Sequence, residues 1–203
     1  MREMREFNIV LAGVGGQGTL LAAEILGVAA IKDGLNVRVS EIHGMAQRGG
    51  AVVSTVRVGE KVLAPTVLEG QANVFLGFEP METLRNLKFA SEKTLVIMSD
   101  EKIAPPELTA KNLSYPSMAE ILKKIQRFTK RVIIVETARL AKKAGSSLTQ
   151  NIVLLGALAA TGKMPIKKEC LMEALKELVP AKHVKVNVKA FELGYDYAKK
   201  RLK

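Results

Sequence analysis

The sequence predicts an α/β protein, and three observations carry that prediction. Short runs rich in Val and Ile alternate with stretches of helical periodicity. A glycine loop, GVGGQG at residues 13–18, joins the first of those runs to an apolar helical segment, which is a Rossmann-like start. No low-complexity linker or internal repeat interrupts the 203 residues, so a single domain over residues 1–203 is expected.

Taken in order, the expected strands are Phe7 to Ala12, Val37 to Ile42, Ala51 to Val58, Val74 to Phe78, Leu95 to Ser99 and Val132 to Glu136. The third breaks the alternation, because it follows the second with no room for a crossover helix. The segment Lys61 to Ala64 then comes after a Gly59-Glu60 turn, so a hairpin here makes a mainly parallel sheet mixed.

The helices are legible from their ends. Ser117 and Glu120 form a capping box ahead of Ile121, Leu122 and Ile125, each side chain satisfying a free backbone donor of the other's turn. Leu171, Ala174, Leu175 and Leu178 repeat at helical spacing and stop before Pro180. Phe191, Tyr195, Ala198 and Leu202 do the same on a basic C-terminal helix at about residues 184–203. Such a stripe reads as a core face or as a partner surface. Leu20 to Ile31 is apolar nearly all round, so this helix is expected to be covered on more than one side, with a partner subunit as one source of cover.

Composition narrows the function. The longest near-apolar run is interrupted by Glu24 and Gly27 and falls short of the ~20 residues that span a bilayer, and the N-terminus carries no export signal. Cys170 is the single cysteine, so the chain forms no internal disulfide and cannot by itself ligate an iron–sulfur cluster. A cytoplasmic protein without its own cluster and without a membrane segment is expected. The 31 Lys+Arg against 20 Asp+Glu give a net charge of +11, which suits nucleic acid, an anionic cofactor or an acidic partner. With 4% aromatic residues, no Trp and no DNA- or RNA-binding signature, nucleic acid is not the expected partner.

Two loops carry the candidate chemistry. Gly13, Gly15 and Gly18 satisfy G-x-G-x-x-G, and with Gly16 and Gln17 they form a loop whose exposed amides suit a phosphate or carboxylate. In a dinucleotide site an acid about 20 residues on binds the ribose. Glu41 ends the second strand 23 residues after Gly18 and matches on position, while Asp33 precedes that strand. The following loop, SEIHGMAQRGG at residues 40–50, gathers Glu41, His43, Gly44, Gln47, Arg48, Gly49 and Gly50. If the first two strands are parallel neighbours, both loops open on the same sheet edge and form one site. The three glycines also serve simple chain turning, His43 reads as structural or as proton-transferring, and Arg48 reads as a solvated charge or as a guanidinium for an anion. No complete catalytic set, metal-ligand spacing or Walker motif accompanies them, and His183 stands alone in a basic segment.

The stretches NIVLAGVGGQGTLLAAEIL, VSEIHGMAQRGGAVVSTVRVG and QNIVLLGALA, in that order, resemble the gamma-type domain of the 2-oxoacid:ferredoxin oxidoreductases. The likeness runs from Phe7 to about the Leu171 helix and is nearest the indolepyruvate-type members, in which the HGMAQRGG type of loop is typical. It implies a three-layer α/β/α fold and a subunit of an enzyme that decarboxylates an arylpyruvate on thiamine diphosphate, passes electrons to ferredoxin and releases an acyl-CoA. It further implies a larger partner carrying thiamine diphosphate, Mg and iron–sulfur clusters, with coenzyme A as co-substrate. The family's motifs fall on Gly13, Gly15, Gly16, Gln17 and Gly18, on Glu41, His43, Gly44, Gln47, Arg48, Gly49 and Gly50, and on Asn151 and Gly156, all with a site-lining role. A 2-oxoglutarate-type gamma subunit, a stand-alone NAD-dependent enzyme and a nucleotide-binding regulator are the alternatives.

Overall fold

A computed structural model of the chain describes residues 6–44, 49–105 and 114–202. In chain order these form β1 (Phe7–Val14), α1 (Thr19–Lys32), β2 (Asn36–His43), β3 (Ala51–Gly59), β4 (Val74–Gly77), α2 (Pro80–Arg85), β5 (Leu95–Ser99), α3 (Met118–Ile125), β6 (Val132–Val135), α4 (Thr137–Ala144), α5 (Gln150–Ala160), α6 (Lys168–Leu178) and α7 (Val184–Arg201). The sheet order is β2-β3-β1-β4-β5-β6. From β1 to β6 neighbouring strands are parallel, whereas β3 is antiparallel to both β1 and β2. The sheet is therefore mixed, as the sequence predicts.

Its order differs from the expectation in one respect. The first two strands point the same way but are not neighbours, because β3 lies between them. The loop at residues 44–50 is too short for a crossover, so β3 must return antiparallel to β2, and it is the β3 edge that pairs with β1. Nor does Lys61 to Ala64 form a strand. Both edges of β3 are already occupied, and the carbonyls of Ala64 and of the two residues after it go to side chains of β3: Arg57 Nη1 donates to Ala64 O (2.8 Å) and Thr66 O (2.9 Å), and Thr55 Oγ1 donates to Pro65 O (2.9 Å). The segment is strapped over β3 instead of extending the sheet.

Alternate residues along each strand feed two cores, which makes three layers. Ile9, Leu11, Val56, Val58, Leu76 and Ile97 face α1, α4, α5, α6 and α7. Val10, Ala12, Phe75, Val96 and Met98 face the layer that holds α3, where Ile121 and Ile125 are buried behind the predicted Ser117–Glu120 capping box. The apolar α1 rests on the sheet and packs against α6, so the chain supplies its own second cover. Leu20 and Ile31 alone among its large apolar side chains stay exposed, at 47% and 66%. On α7 the buried face is Asn187, Ala190, Phe191, Gly194, Tyr197 and Ala198. Leu202 lies past the helix end and is exposed, and Tyr197 takes the inward place. No helix of the described residues is long and apolar enough to cross a membrane.

Candidate functional site

Because β2 and β1 point the same way, the two motif loops meet at the carboxyl edge of the sheet despite the strand between them. Gly15 N donates to Gly50 O (2.8 Å), and Gly49 N donates back to Gly15 O (3.4 Å). Gly44 N closes the hairpin on Ala51 O (2.9 Å). The glycine loop and the second loop are thus one hydrogen-bonded unit. Of the second motif, Gln47 and Arg48 lie outside the described residues, and His43 is placed by its backbone alone, opposite Val52.

The glycine loop is held by side chains of its own motif. Gln17 Oε1 accepts from Val14 N (2.8 Å) while its Nε2 donates to Phe78 O (2.9 Å), tying the loop to the end of β4. Gly16 and Gly18 have φ of 101° and 74°, in the region that L side chains avoid. A Cβ on Gly13 would lie 2.7 Å from Phe78 Cβ, so this position admits only glycine at the strand end. Asn151, at the start of α5, is 4% exposed and donates from Nδ2 to Gly18 O (3.2 Å). Its place is behind the loop, as a brace. Gly156, expected to line the site, instead lies where α5 crosses α7: a Cβ there would be 2.0 Å from Phe191 O. That position is fixed by close helix packing, which the N-x-x-x-x-G spacing does not distinguish from a ligand contact.

Glu41 lies level with Ser54 on β3, and Ser54 with Leu11 on β1. Two strand spacings of about 4.8 Å put it about 10 Å from β1, at the sheet edge, instead of beside the glycine loop as a ribose-binding acid would be. This geometry counts against a stand-alone dinucleotide enzyme.

In front of the glycine loop lies a cavity of about 310 Å³, lined by Gly15, Gly16 and Gln17 and by residues that the motifs do not include. Phe78, Ile103, Leu148 and Leu154 supply apolar wall. Ser99, Thr137 and Gln150 supply a polar one: Ser99 Oγ lies 2.5 Å from Thr137 Oγ1, which donates to Gln150 Oε1 (2.8 Å). Ser99 ends β5 and Thr137 opens α4, immediately beyond β6. The signal for both was available in the sequence, since Ser99 closes an apolar strand run and Thr137 stands two residues past the end of another, at the edge where α/β proteins bind ligands. Beside them Asp100 accepts from Thr137 N (3.2 Å), and burial raises its carboxyl above the usual range.

A second buried cluster holds the Ile103 wall. Glu79, 1% exposed, accepts from Glu82 N (2.8 Å), from Ile103 N (3.3 Å) and from the Tyr115 hydroxyl. Burial, and then this carboxylate, push the Tyr115 phenol far above its ordinary range, so it acts as a donor and not as an acid. Cys170 is half-buried next to Asp33, distant in sequence from the loops, and no group of three His, Cys, Asp or Glu among the described residues could hold a metal.

The comparisons agree with this architecture. The chain is 46% identical over 191 residues to indolepyruvate oxidoreductase subunit IorB of Archaeoglobus fulgidus, covering 94% of each chain. It is 43% identical to the subunit of the same name from Pyrococcus horikoshii, covering 98% of this chain and 99% of that one. Among solved structures, the gamma subunit of a keto/oxoacid ferredoxin oxidoreductase from Geobacter sulfurreducens superposes with a TM-score of 0.68 at 26% identity, over 95% of this chain and 98% of that chain. The family model described as pyruvate ferredoxin/flavodoxin oxidoreductase matches residues 8–197, and the chain belongs to that family as a subunit of an oxidoreductase complex.

Proposed function

We propose that the chain is the small subunit of a cytoplasmic indolepyruvate:ferredoxin oxidoreductase, and that its two joined loops and the cavity before them form this subunit's share of the substrate and coenzyme A site. The observation that supports the reading is the reciprocal bonding of Gly15 with Gly49 and Gly50, which joins two distant motifs at the sheet edge beside the cavity that Gly15, Gly16 and Gln17 line. The 46% and 43% identity to subunits named for indolepyruvate, over almost the whole chain, supports an arylpyruvate over 2-oxoglutarate.

In the reaction proposed, an arylpyruvate loses carbon dioxide, two electrons pass to ferredoxin, and the acyl group leaves on coenzyme A. Thiamine diphosphate with its Mg, and the iron–sulfur clusters, supply the carbanion and redox chemistry and are assigned to a larger partner subunit. The residues of this chain do not suit a cluster, which needs several thiolates where Cys170 stands alone. The work left to this chain is binding and orientation: loop amides and Arg48 for an anionic group, and the cavity for the uncharged body of the ligand.

The test is co-expression with the candidate large subunit. A brown complex that oxidises indolepyruvate only with coenzyme A and thiamine diphosphate is expected, with the isolated chain inactive and colourless. Turnover of a 2-oxoacid by the isolated, metal-free chain would refute the reading, as would a complex that turns over 2-oxoglutarate but not arylpyruvates.

A further inference from the structure

We propose that Gln150 is a positioning residue of the cavity, its side-chain amide locked by a buried hydroxyl relay so that it donates to an uncharged carbonyl oxygen of the ligand. This rests on the reading of the cavity as part of the substrate and coenzyme A site.

The relay has a direction. Glu101 N donates to Ser99 Oγ (3.0 Å), so Ser99 is an acceptor at that end. Thr137 has one hydroxyl proton, and it goes to Gln150 Oε1 (2.8 Å). The 2.5 Å contact between Ser99 and Thr137 must then carry the Ser99 proton to Thr137 Oγ1. Ser99 is 1% exposed and Thr137 0%, so reversing the chain would leave a buried Ser99 proton without an acceptor among the described residues. The amide of Gln150 therefore cannot flip without cost. Its oxygen is held by Thr137, and its Nε2, which makes no bond to the described residues, is left as a donor on a side chain that lines the cavity.

The wall around it selects the acceptor. The described lining includes Glu101 and no Lys or Arg. A phosphate or carboxylate seated on Gln150 would be desolvated near a carboxylate without a balancing cation. A neutral carbonyl accepts the same hydrogen bond without that cost, and Phe78, Ile103, Leu148 and Leu154 suit the carbon on either side of it. The amide-bearing arm of coenzyme A offers such a group, whereas the keto carbon of a 2-oxoacid is bonded to a carboxylate that this wall disfavours.

Steady-state kinetics of the assembled complex, with indolepyruvate and coenzyme A varied in turn, tests the assignment. Gln150→Leu is expected to raise the KM for coenzyme A about five- to tenfold while kcat stays within about twofold. A rise for coenzyme A supports the amide arm as the acceptor, and a rise confined to indolepyruvate would overturn that assignment. Thr137→Val should raise the same KM, and adding it to Gln150→Leu should add nothing, because the relay acts only through the amide. Should Thr137→Val fail to fold, Ser99→Ala, which removes the donor to Thr137 together with the acceptor of Glu101 N, should raise the same KM by a smaller factor, as Thr137 keeps its bond to Gln150. Unchanged KM values for both substrates in a folded, assembled Gln150→Leu complex would overturn the proposal, as would additive effects of the two substitutions. Leu148→Trp, at a lining residue that is 88% exposed and so takes a larger side chain without disturbing the fold, separates the two failures. If it raises a KM and Gln150→Leu does not, the cavity is the site and the amide has no part in it; if neither does, the reading of the cavity falls as well.

Discussion

Replacing Gly18 by Ala tests whether Asn151 braces the glycine loop. Gly18 sits at φ 74° and ψ 26°, and an L side chain in that left-handed conformation costs about 1–2 kcal/mol. A second cost is steric. The added Cβ would lie 2.5 Å from Asn151 Nδ2 and 3.0 Å from Cγ, and Asn151, being 4% exposed, cannot swing into solvent. Its 3.2 Å bond to Gly18 O is lost, for about a further 1–2 kcal/mol and about 2–4 kcal/mol in all. Asn151→Ala alone removes the same bond and costs about 1–2 kcal/mol. In the double variant the closest remaining atom of residue 151 is Cβ at 3.4 Å, an ordinary contact, so the clash disappears. The pair should then cost about 1–2 kcal/mol less than the sum of the singles. Urea unfolding of the four chains measures this, provided the slope with denaturant is unchanged. Additivity within about 0.5 kcal/mol would refute the brace.

Arg48→Lys should impair the complex as well as Arg48→Ala, since a lysine keeps the charge but loses two-point hydrogen bonding; a loss of about 1.5–3 kcal/mol, or roughly ten- to hundredfold in kcat/KM, is expected in steady-state assays, and wild-type kinetics for the alanine variant would remove Arg48 from the site. Adding the partner subunit should slow hydrogen exchange in residues 13–20, where the loop meets the exposed Leu20, and unchanged exchange there would move the interface elsewhere. Asp33 joins the end of α1 to the start of α6. Burial tends to raise its carboxyl, but hydrogen bonds from the Lys167 side chain and backbone (both 2.7 Å) outweigh it and hold the group below the usual range. A folded-state value below the unfolded one means stability that is present above about pH 4 and lost as pH falls through the folded value. Asp33→Asn should therefore flatten the acid limb of a plot of urea midpoint against pH, and an unaltered limb would show that the pair contributes nothing to it.

Legibility in the sequence followed the range over which each feature is determined. All six strands were legible, because each is a short apolar run bounded by turn residues, and the Ser117 cap was legible because it is complete within four residues. Sheet order was not. The short loop at residues 44–50 dictates that β3 turns back on β2, but whether β3 or β2 then lies beside β1 depends on packing between distant segments. The convergence of the two loops survived this error, since two antiparallel steps restore the original direction. The cavity divides the same way: its glycine wall is a contiguous motif, whereas Ser99, Thr137 and Gln150 are single polar residues separated by 38 and 13 positions.

The third motif shows why a matched pattern does not give a role. Asn151 and Gly156 belong to one helix and serve opposite ends of it. The asparagine holds the carbonyl of Gly18 at the start of α5. The glycine lets the backbone of α7 approach α5, as Gly194 does from the other side, where a Cβ would lie 2.0 Å from Val153 O. Neither side chain needs to touch a ligand for the motif to matter. α5, buried from Asn151 to Leu158, packs against the basic C-terminal helix and at its start holds the loop that borders the cavity. A substitution that forces α7 away from Gly156 should therefore disturb the glycine loop through Asn151, although α7 contributes no residue to the cavity wall.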